Sequence, residues 1–200
     1  MSPYKHSEIS VKRRGGMIDD YYQLHSFMDS TKELCSDNRH RILHTHWAIR
    51  NIIIPIFGEY ILNSDGRKLN VKDICEKDHI LIDYSNRFIP TLNDFVKEIN
   101  ISDSVVDKFN PIFKLYSANQ DLAKLLLSPL FLTGNVNSLI ITHNSWFLGL
   151  IVPQLFDYKY QLSSVNLSGS LIFENMNYRL WMDNGRDFPS SYPTRKLHSS

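Results

Sequence analysis

Histidine is unevenly spread over the 200 residues: six of the eight (His6, His25, His40, His44, His46, His79) precede residue 80. Imidazole is the commonest metal ligand and the readiest acid–base group near neutral pH, so this clustering is the chemical signal of the chain. Side chains three or four residues apart on a helix share a face. On that rule Glu33, Asp37, His40 and His44 line up if one helix runs through them. Glu76-x-x-His79, with Asp83 four residues further, forms a second line. Glu-x-x-His is the pair that carboxylate-bridged metal proteins place on facing helices. Two such helices packed together would present His40, His44, Glu76 and His79 to one point. Asp29, Asp37 or Asp83 would complete or support the coordination.

This spacing predicts a metal site with His25, His40, Glu76 and His79 as ligands. Asp83 or Asp37 would orient an imidazole or take a proton. Mixed imidazole and carboxylate donors suit Zn²⁺, Mn²⁺ or Fe²⁺. A water bound to such an ion is acidic enough to attack a phosphoester or an amide, which would make the protein a metal-dependent hydrolase. The competing reading is a set of buried histidines bonded to carboxylates and carbonyls. The chain has no His-Glu-x-x-His, no Gly-x-x-x-x-Gly-Lys-Ser/Thr phosphate loop, no Gly-x-Gly-x-x-Gly turn and no Gly-x-Ser-x-Gly elbow. Cys35 and Cys75 are the only cysteines, which excludes a disulfide scaffold and a cysteine-rich zinc site; both read as core thiols.

The elements that must carry these groups read as α+β, mainly α. Met17, Tyr21, Leu24 and Met28 make the apolar face of a helix over 17–35, with Asp19 and Asp20 in its first turn. Asp37-Asn38 breaks that helix and caps a second, from Arg39 to about Ile54, which Pro55 and Gly58 end. Tyr60–Leu62 and Lys68–Val71 flank an Asp-Gly turn and predict a β-hairpin. Helical spacing returns over 71–82, and Thr91 with Asp94 signals a capped short helix. Lys12-Arg13-Arg14 before Gly15-Gly16 reads as a solvated loop, with phosphate contact as the alternative. In the second half, 104–114 and 119–127 read as helices, the latter ending before Pro129. Alternation over Gln161–Met182 predicts a two-stranded meander.

Charge divides the chain. Residues 1–100 hold 14 Lys/Arg and 14 Asp/Glu, residues 101–200 only 8 and 7, and 125–156 none at all. The expected organisation is a His-rich helical module over 1–100, an apolar region over 101–187 and a flexible tail over 188–200. The uncharged stretch 125–156 predicts core or an interface for a protein partner or a second copy of the chain. Its apolar runs of 9 and 11 residues fall short of the ~20 that span a bilayer. With a net charge of +1 and no basic stripe interleaved with aromatics, nucleic-acid binding has no support. No apolar signal segment opens the sequence, which predicts an intracellular protein.

Several phrases in the first half occur in a recognisable order: Lys5-His6, Ser10-Val11-Lys12-Arg13, Gly15-Gly16, Asp20-Tyr21, His25-Ser26-Phe27 and Asp29-Ser30. Asp37-x-Arg39-His40-Arg41, Asn63-Ser64-Asp65-Gly66, Glu76-x-x-His79 with Asp83, and Ile89-Pro90-Thr91-x-x-Asp94 follow. Over about residues 5–99 the chain resembles a small bacterial and phage family of uncharacterised domains. The resemblance implies that His6, His25, His40, Glu76, His79 and Asp83 belong to the family's polar pattern, and it implies no particular activity. The departure is at His44-Thr45-His46, where the family pattern has two adjacent histidines. Two functional readings stand beside each other: a metal-binding helical domain with hydrolytic chemistry, and a non-catalytic interaction or assembly subunit using 125–156.

Overall fold

In the computed structural model, residues 1–156 and 167–193 are described. The chain opens with helix α1 (Pro3–Arg14), capped by the Ser2 hydroxyl with Pro3 in the first turn, where its missing N–H costs nothing. Lys12-Arg13-Arg14 is therefore the last helical turn rather than a loop. Arg13 and Arg14 are held by the buried Asp78 and by the carbonyls of Lys77 and Asp73, so tertiary ion pairs extend the helix to the glycines. Helix α2 (Asp19–Met28) follows the Gly15-Gly16 turn, packs on α1 and buries Tyr21, Leu24 and Met28, the apolar face expected.

The expected long helix over 39–54 is instead two pieces. A 3₁₀ segment, Asn38–Leu43, is capped by Asp37 and ends at His44. Thr45, in extended conformation, caps a new helical run, α3, over 46–57. Pro55 does not stop α3. The run widens into a π turn at Ile49–Ile53, continues as Ile54–Phe57 with Pro55 in that segment's first turn, and ends at Gly58 with φ +87°. A π turn shifts the hydrogen-bond register, which tolerates a residue with no N–H to give. Because Asp37 is extended and Asn38–Leu43 is a 3₁₀ segment, Glu33, Asp37, His40 and His44 do not form one line.

Strands β1 (Tyr60–Leu62) and β2 (Lys68–Asn70) pair antiparallel, Ile61 opposite Leu69, around the Asp65-Gly66 turn. Helical run α4 covers 71–83: Val71–Ile74, a π turn at Cys75–Ile80, then Leu81–Asp83. Helix α5 (Leu92–Val96) carries the expected reciprocal cap between Thr91 and Asp94.

In the second half, Asp103–Val106 (α6), Asn110–Ala118 (α7) and Gln120–Thr133 (α8) are helical, and α8 runs past Pro129 to Gly134. A 3₁₀ segment Val136–Ile141 leads to a helical run, α9, with a π turn at Phe147–Ile151 and a last turn Val152–Leu155. Residues 161–166 of the expected meander lie outside the described residues. Where it is described, Leu171–Glu174 is a helical turn (α10) and Leu180–Met182 a 3₁₀ turn. Leu171 and Phe173 alternate in sequence, but backbone bonds from Phe173 and Glu174 to the Ser170 carbonyl satisfy the chain locally. One isolated bridge, Ile99 to Met176, joins the halves.

A single apolar core runs through both halves, from Tyr21, Ile42 and Ile52 to Phe109, Phe147 and Trp181. Much of the uncharged stretch lies in it, including Leu126, Leu139, Ile140, Phe147 and Ile151, whereas Phe131 and Leu132 are exposed. Cys35 and Cys75 are buried free thiols. Among the described residues, no helix is long and apolar enough to cross a membrane.

Candidate metal centre

Three elements each carry two polar groups one turn apart, and all three point inward. His25 lies on α2 and Asp29 caps its end. His40 lies in the 3₁₀ segment, and His44 ends it. His79 sits inside the π turn of α4, and Asp83 ends that run. From α1, His6 and Ser10 reach the same space. All eight are buried, none more than 4% exposed.

One ligand atom from each of Asp29, His44, His79 and Asp83 lies within 4.8 Å of the other three. His44 Nε2 is 3.7 Å from Asp29 Oδ1 and 3.4 Å from Asp83 Oδ2. His79 Nε2 is 3.7 and 4.0 Å from the same two oxygens. Charge-assisted hydrogen bonds are about 2.7–2.9 Å long, so these four pairs are too far apart to be bonded to each other. With metal–ligand bonds of about 2.0–2.2 Å, the edge of a coordination tetrahedron is about 3.3–3.6 Å. These four separations, 3.4–4.0 Å, lie at or slightly beyond that edge. His40 Nε2, 3.8 Å from Asp29 Oδ1, and His6 Nε2, 3.3 Å from Asp83 Oδ1, stand beside the group.

The hydrogen-bond network assigns which imidazole nitrogen faces the carboxylates. Ser10 Oγ donates to Asp78 Oδ2 at 3.2 Å, so its one hydrogen is committed. Its oxygen therefore accepts from His25 Nε2–H at 2.9 Å. Burial, reinforced by His6, holds the His25 pKa down at about 3, so the ring is neutral and its Nδ1 is a bare acceptor. That nitrogen accepts from His79 Nδ1–H at 2.9 Å. Burial likewise keeps His79 neutral, and its remaining lone pair, on Nε2, looks at Asp29 and Asp83. His6 Nδ1 bonds the Asp78 carbonyl at 2.9 Å and His40 Nδ1 the Asp37 carbonyl, so Nε2 faces the cluster in both. Fixing a ring through its far nitrogen is what supporting groups do for metal-bound histidine.

The facing nitrogens of His6, His40 and His79 are thus acceptors opposite acceptors, and neither nitrogen of His44 has a hydrogen-bond partner. Burial pushes the Asp29 and Asp83 carboxyls up, whereas a proton on a facing imidazole, His40 or His79 for Asp29 and His44 or His6 for Asp83, pulls them down. Burial lowers His44 to about 4 against the opposing pull of Asp83, so it too is neutral at pH 7. The Nε2 atoms of His6, His40, His44 and His79, Asp29 Oδ1 and Asp83 Oδ2 all lack a hydrogen-bond partner. Buried acceptors left facing each other are costly, and a cation between them removes the cost. Positive charge at the margin comes from Lys32 Nζ, 2.6 Å from Asp29 Oδ2, Arg41 Nε, 3.3 Å from Asp83 Oδ2, and the Met1 amino group, 3.1 Å from Asp83 Oδ1.

Of the residues named from sequence, His79 and Asp83 lie within the four-atom group and His40 lies beside it. His25 stands behind His79 as its hydrogen-bond acceptor. Glu76 is not brought to the cluster: its carboxylate meets His46 Nδ1 at 3.0 Å and Lys72 at 3.5 Å. The π turn separates it from His79's direction. The Asp37 carboxylate also lies apart, engaged by Arg39 and by the cap of the 3₁₀ segment; only its carbonyl serves the site, through His40. Asp29 and His44 are the residues that spacing alone undervalued. Their signal was a shared interval, His25 to Asp29, His40 to His44 and His79 to Asp83, four residues each time.

No curated protein and no solved structure matches this chain. A match over residues 1–105, more than half the sequence and including every residue of the cluster, places it in a family described as a domain of unknown function. The chain belongs to that family, DUF6915.

Proposed function

We propose that this domain is a divalent-metal-binding module whose centre is built from Asp29, His44, His79 and Asp83. His40 and His6 stand within reach of the same carboxylates. The observation that carries this reading is the 3.4–4.0 Å spacing of unpartnered imidazole nitrogens and carboxylate oxygens in a buried site. Two imidazoles and two carboxylates suit a first-row transition ion, with Zn²⁺ favoured by four donors at tetrahedral spacing and Mn²⁺ or Fe²⁺ served if His40 or His6 joins.

Hydrolysis at the ion would need an open coordination position and a path for substrate. The cluster is enclosed, with no member more than 4% exposed, which supports a closed centre that stabilises the fold. Such an ion contributes folding free energy directly, because the unfolded chain does not hold the site together.

The test is metal analysis and thermal melting of the full chain, purified without a histidine tag and reconstituted separately with Zn²⁺, Mn²⁺ and Fe²⁺. One ion per chain is expected. At free ion about 100-fold above Kd, the stabilisation is about 2.7 kcal/mol. For a chain of this size that raises Tm by about 5–10 °C, reversed by chelator. Melting that is indifferent to both metal and chelator, with no ion retained, would overturn the proposal.

A further inference from the structure

Two stretches of the second half repeat two stretches of the first at an interval of 98–99 residues. In the first, Asp37 accepts from Arg39 N to cap the 3₁₀ segment Asn38–Leu43. In the second, Asn135 accepts from Asn137 N to cap Val136–Ile141. A buried histidine follows each, His44 and His143, and then a residue whose side chain accepts from the N–H three positions on: Thr45 from Ala48, Asn144 from Phe147. A tryptophan comes next, Trp47 and Trp146, then a π turn, Ile49–Ile53 and Phe147–Ile151, then a turn containing proline, Pro55 and Pro153.

The correspondence resumes further on. Ser85-Asn86 and Asn184-Gly185 are consecutive residues in the left-handed region, φ 55° and 59° against 53° and 71°. Each pair is closed by the same backbone bond, Arg87 N to Tyr84 O and Arg186 N to Asp183 O, both 3.0 Å. Each leads to proline and a hydroxyl residue, Pro90-Thr91 and Pro189-Ser190. Three of the positive-φ residues in these pairs are not glycine, so coincidence of two such turns at this spacing is a specific signal.

The two turns pack on each other. Ser85 Oγ donates to Asn184 O at 2.9 Å, and Arg87 donates to Gly185 O. Arg41 spans both: Nη1 donates to Asp83 O at 3.3 Å and to Met182 O at 3.1 Å, carbonyls 99 residues apart, and Nη2 donates to Asn184 Oδ1 at 3.1 Å. In the second half the polar positions are gone. At the same interval His40, Arg41 and Asp83 correspond to Leu139, Ile140 and Met182, all buried. His143 keeps its place, but its Nε2 is taken by the Tyr116 hydroxyl and its Nδ1 bonds Leu139 O at 2.9 Å.

We infer that residues 136–156 and 183–191 repeat the fold of residues 38–58 and 84–92 without the ligands, and that the turn Asp183–Arg186 serves the first-half centre by positioning Arg41. Asn184 is the positioning residue. Its amide oxygen and the Met182 carbonyl hold the guanidinium so that Nε faces Asp83 Oδ2 at 3.3 Å. The effect on metal affinity rests on the metal-binding proposal above; the effect on Arg41 does not.

The experiment uses the full chain, with and without Zn²⁺, and two variants. Asn184→Gly removes the amide while keeping the backbone conformation free of strain, and Asn184→Asp keeps an acceptor. In the metal-free wild type the Arg41 Nε–H resonance should exchange slowly with solvent. Asn184→Gly should speed that exchange at least ~10-fold and weaken Zn²⁺ binding by ~10-fold, the scale of a lost supporting contact. Asn184→Asp should restore both. Unchanged Arg41 exchange in Asn184→Gly would overturn the positioning role, and two ions per chain would overturn a ligand-stripped second copy. Absence of Zn²⁺ binding with the Arg41 effect intact would reject the metal centre and leave this inference standing.

Discussion

His25 Nδ1 lies 2.9 Å from His79 Nδ1, and this contact decides what His79 offers to the cluster. Because Asp78 takes the Ser10 hydrogen and Ser10 takes the His25 hydrogen, the proton between the rings belongs to His79. Breaking that chain frees His79 to adopt the other tautomer, which places a hydrogen where the ion should sit. His25→Ala and Ser10→Ala are each expected to weaken Zn²⁺ affinity by ~10–100-fold. Titration with a competing chelator measures this; affinities equal to wild type in both variants would remove the relay from the account.

The placement of the carboxylates gives a sharper contrast. Asp83→Asn removes the charge that faces His44 at 3.4 Å and should abolish ion retention, a loss on the order of 100-fold or more in affinity. Glu76→Gln changes the partner of His46 and Lys72, outside the cluster, and should leave ion content at wild-type level. Elemental analysis of the two proteins side by side checks the assignment, and loss of metal in Glu76→Gln would contradict it.

Acid should destabilise the metal-free protein beginning well above the carboxylate range. His143, far from the cluster in sequence, is held at about 4 by burial, against about 6.5 in an unfolded chain. The unfolded state therefore takes the proton first. Its contribution is whole above pH ~6.5 and is lost as pH falls toward 4, at up to ~1.4 kcal/mol per pH unit. His44, also lowered to about 4, and His25, lowered to about 3, act in the same direction. Asp29 and Asp83, held low, add their loss only below pH ~4. Denaturant unfolding from pH 7.5 to 4.5 should show a steady decline, shallower in His143→Gln if that variant folds and in any case absent from a chain whose histidines titrate normally.

Local sequence signals were read correctly where the neighbouring residues decide the outcome. The Asp65-Gly66 hairpin turn, the Thr91–Asp94 cap and the apolar face of α2 depend on residues within a few positions of each other. The breaks in helical register did not follow from spacing. The extended backbone at Asp37 interrupts the line from Glu33 to His44, and the π turn at Cys75–Ile80 parts Glu76 from His79. Helix α1 was missed because its polar sequence has little apolar face, and it is held by Asp78 from 64 residues away. The 99-residue interval was equally present in the sequence, but its matching residues are caps, turns and one histidine, which composition and hydrophobic periodicity do not weigh.

Enclosure has a kinetic meaning as well as an energetic one. An ion seated between Asp29, His44, His79 and Asp83 would be covered by residues none of which is more than 4% exposed, with Met1 and Lys32 at the margin, so its release would need a local opening of the chain. The residence time of the ion would then be a clock for that local opening. Isotope exchange of bound zinc would report how often this part of the chain comes apart.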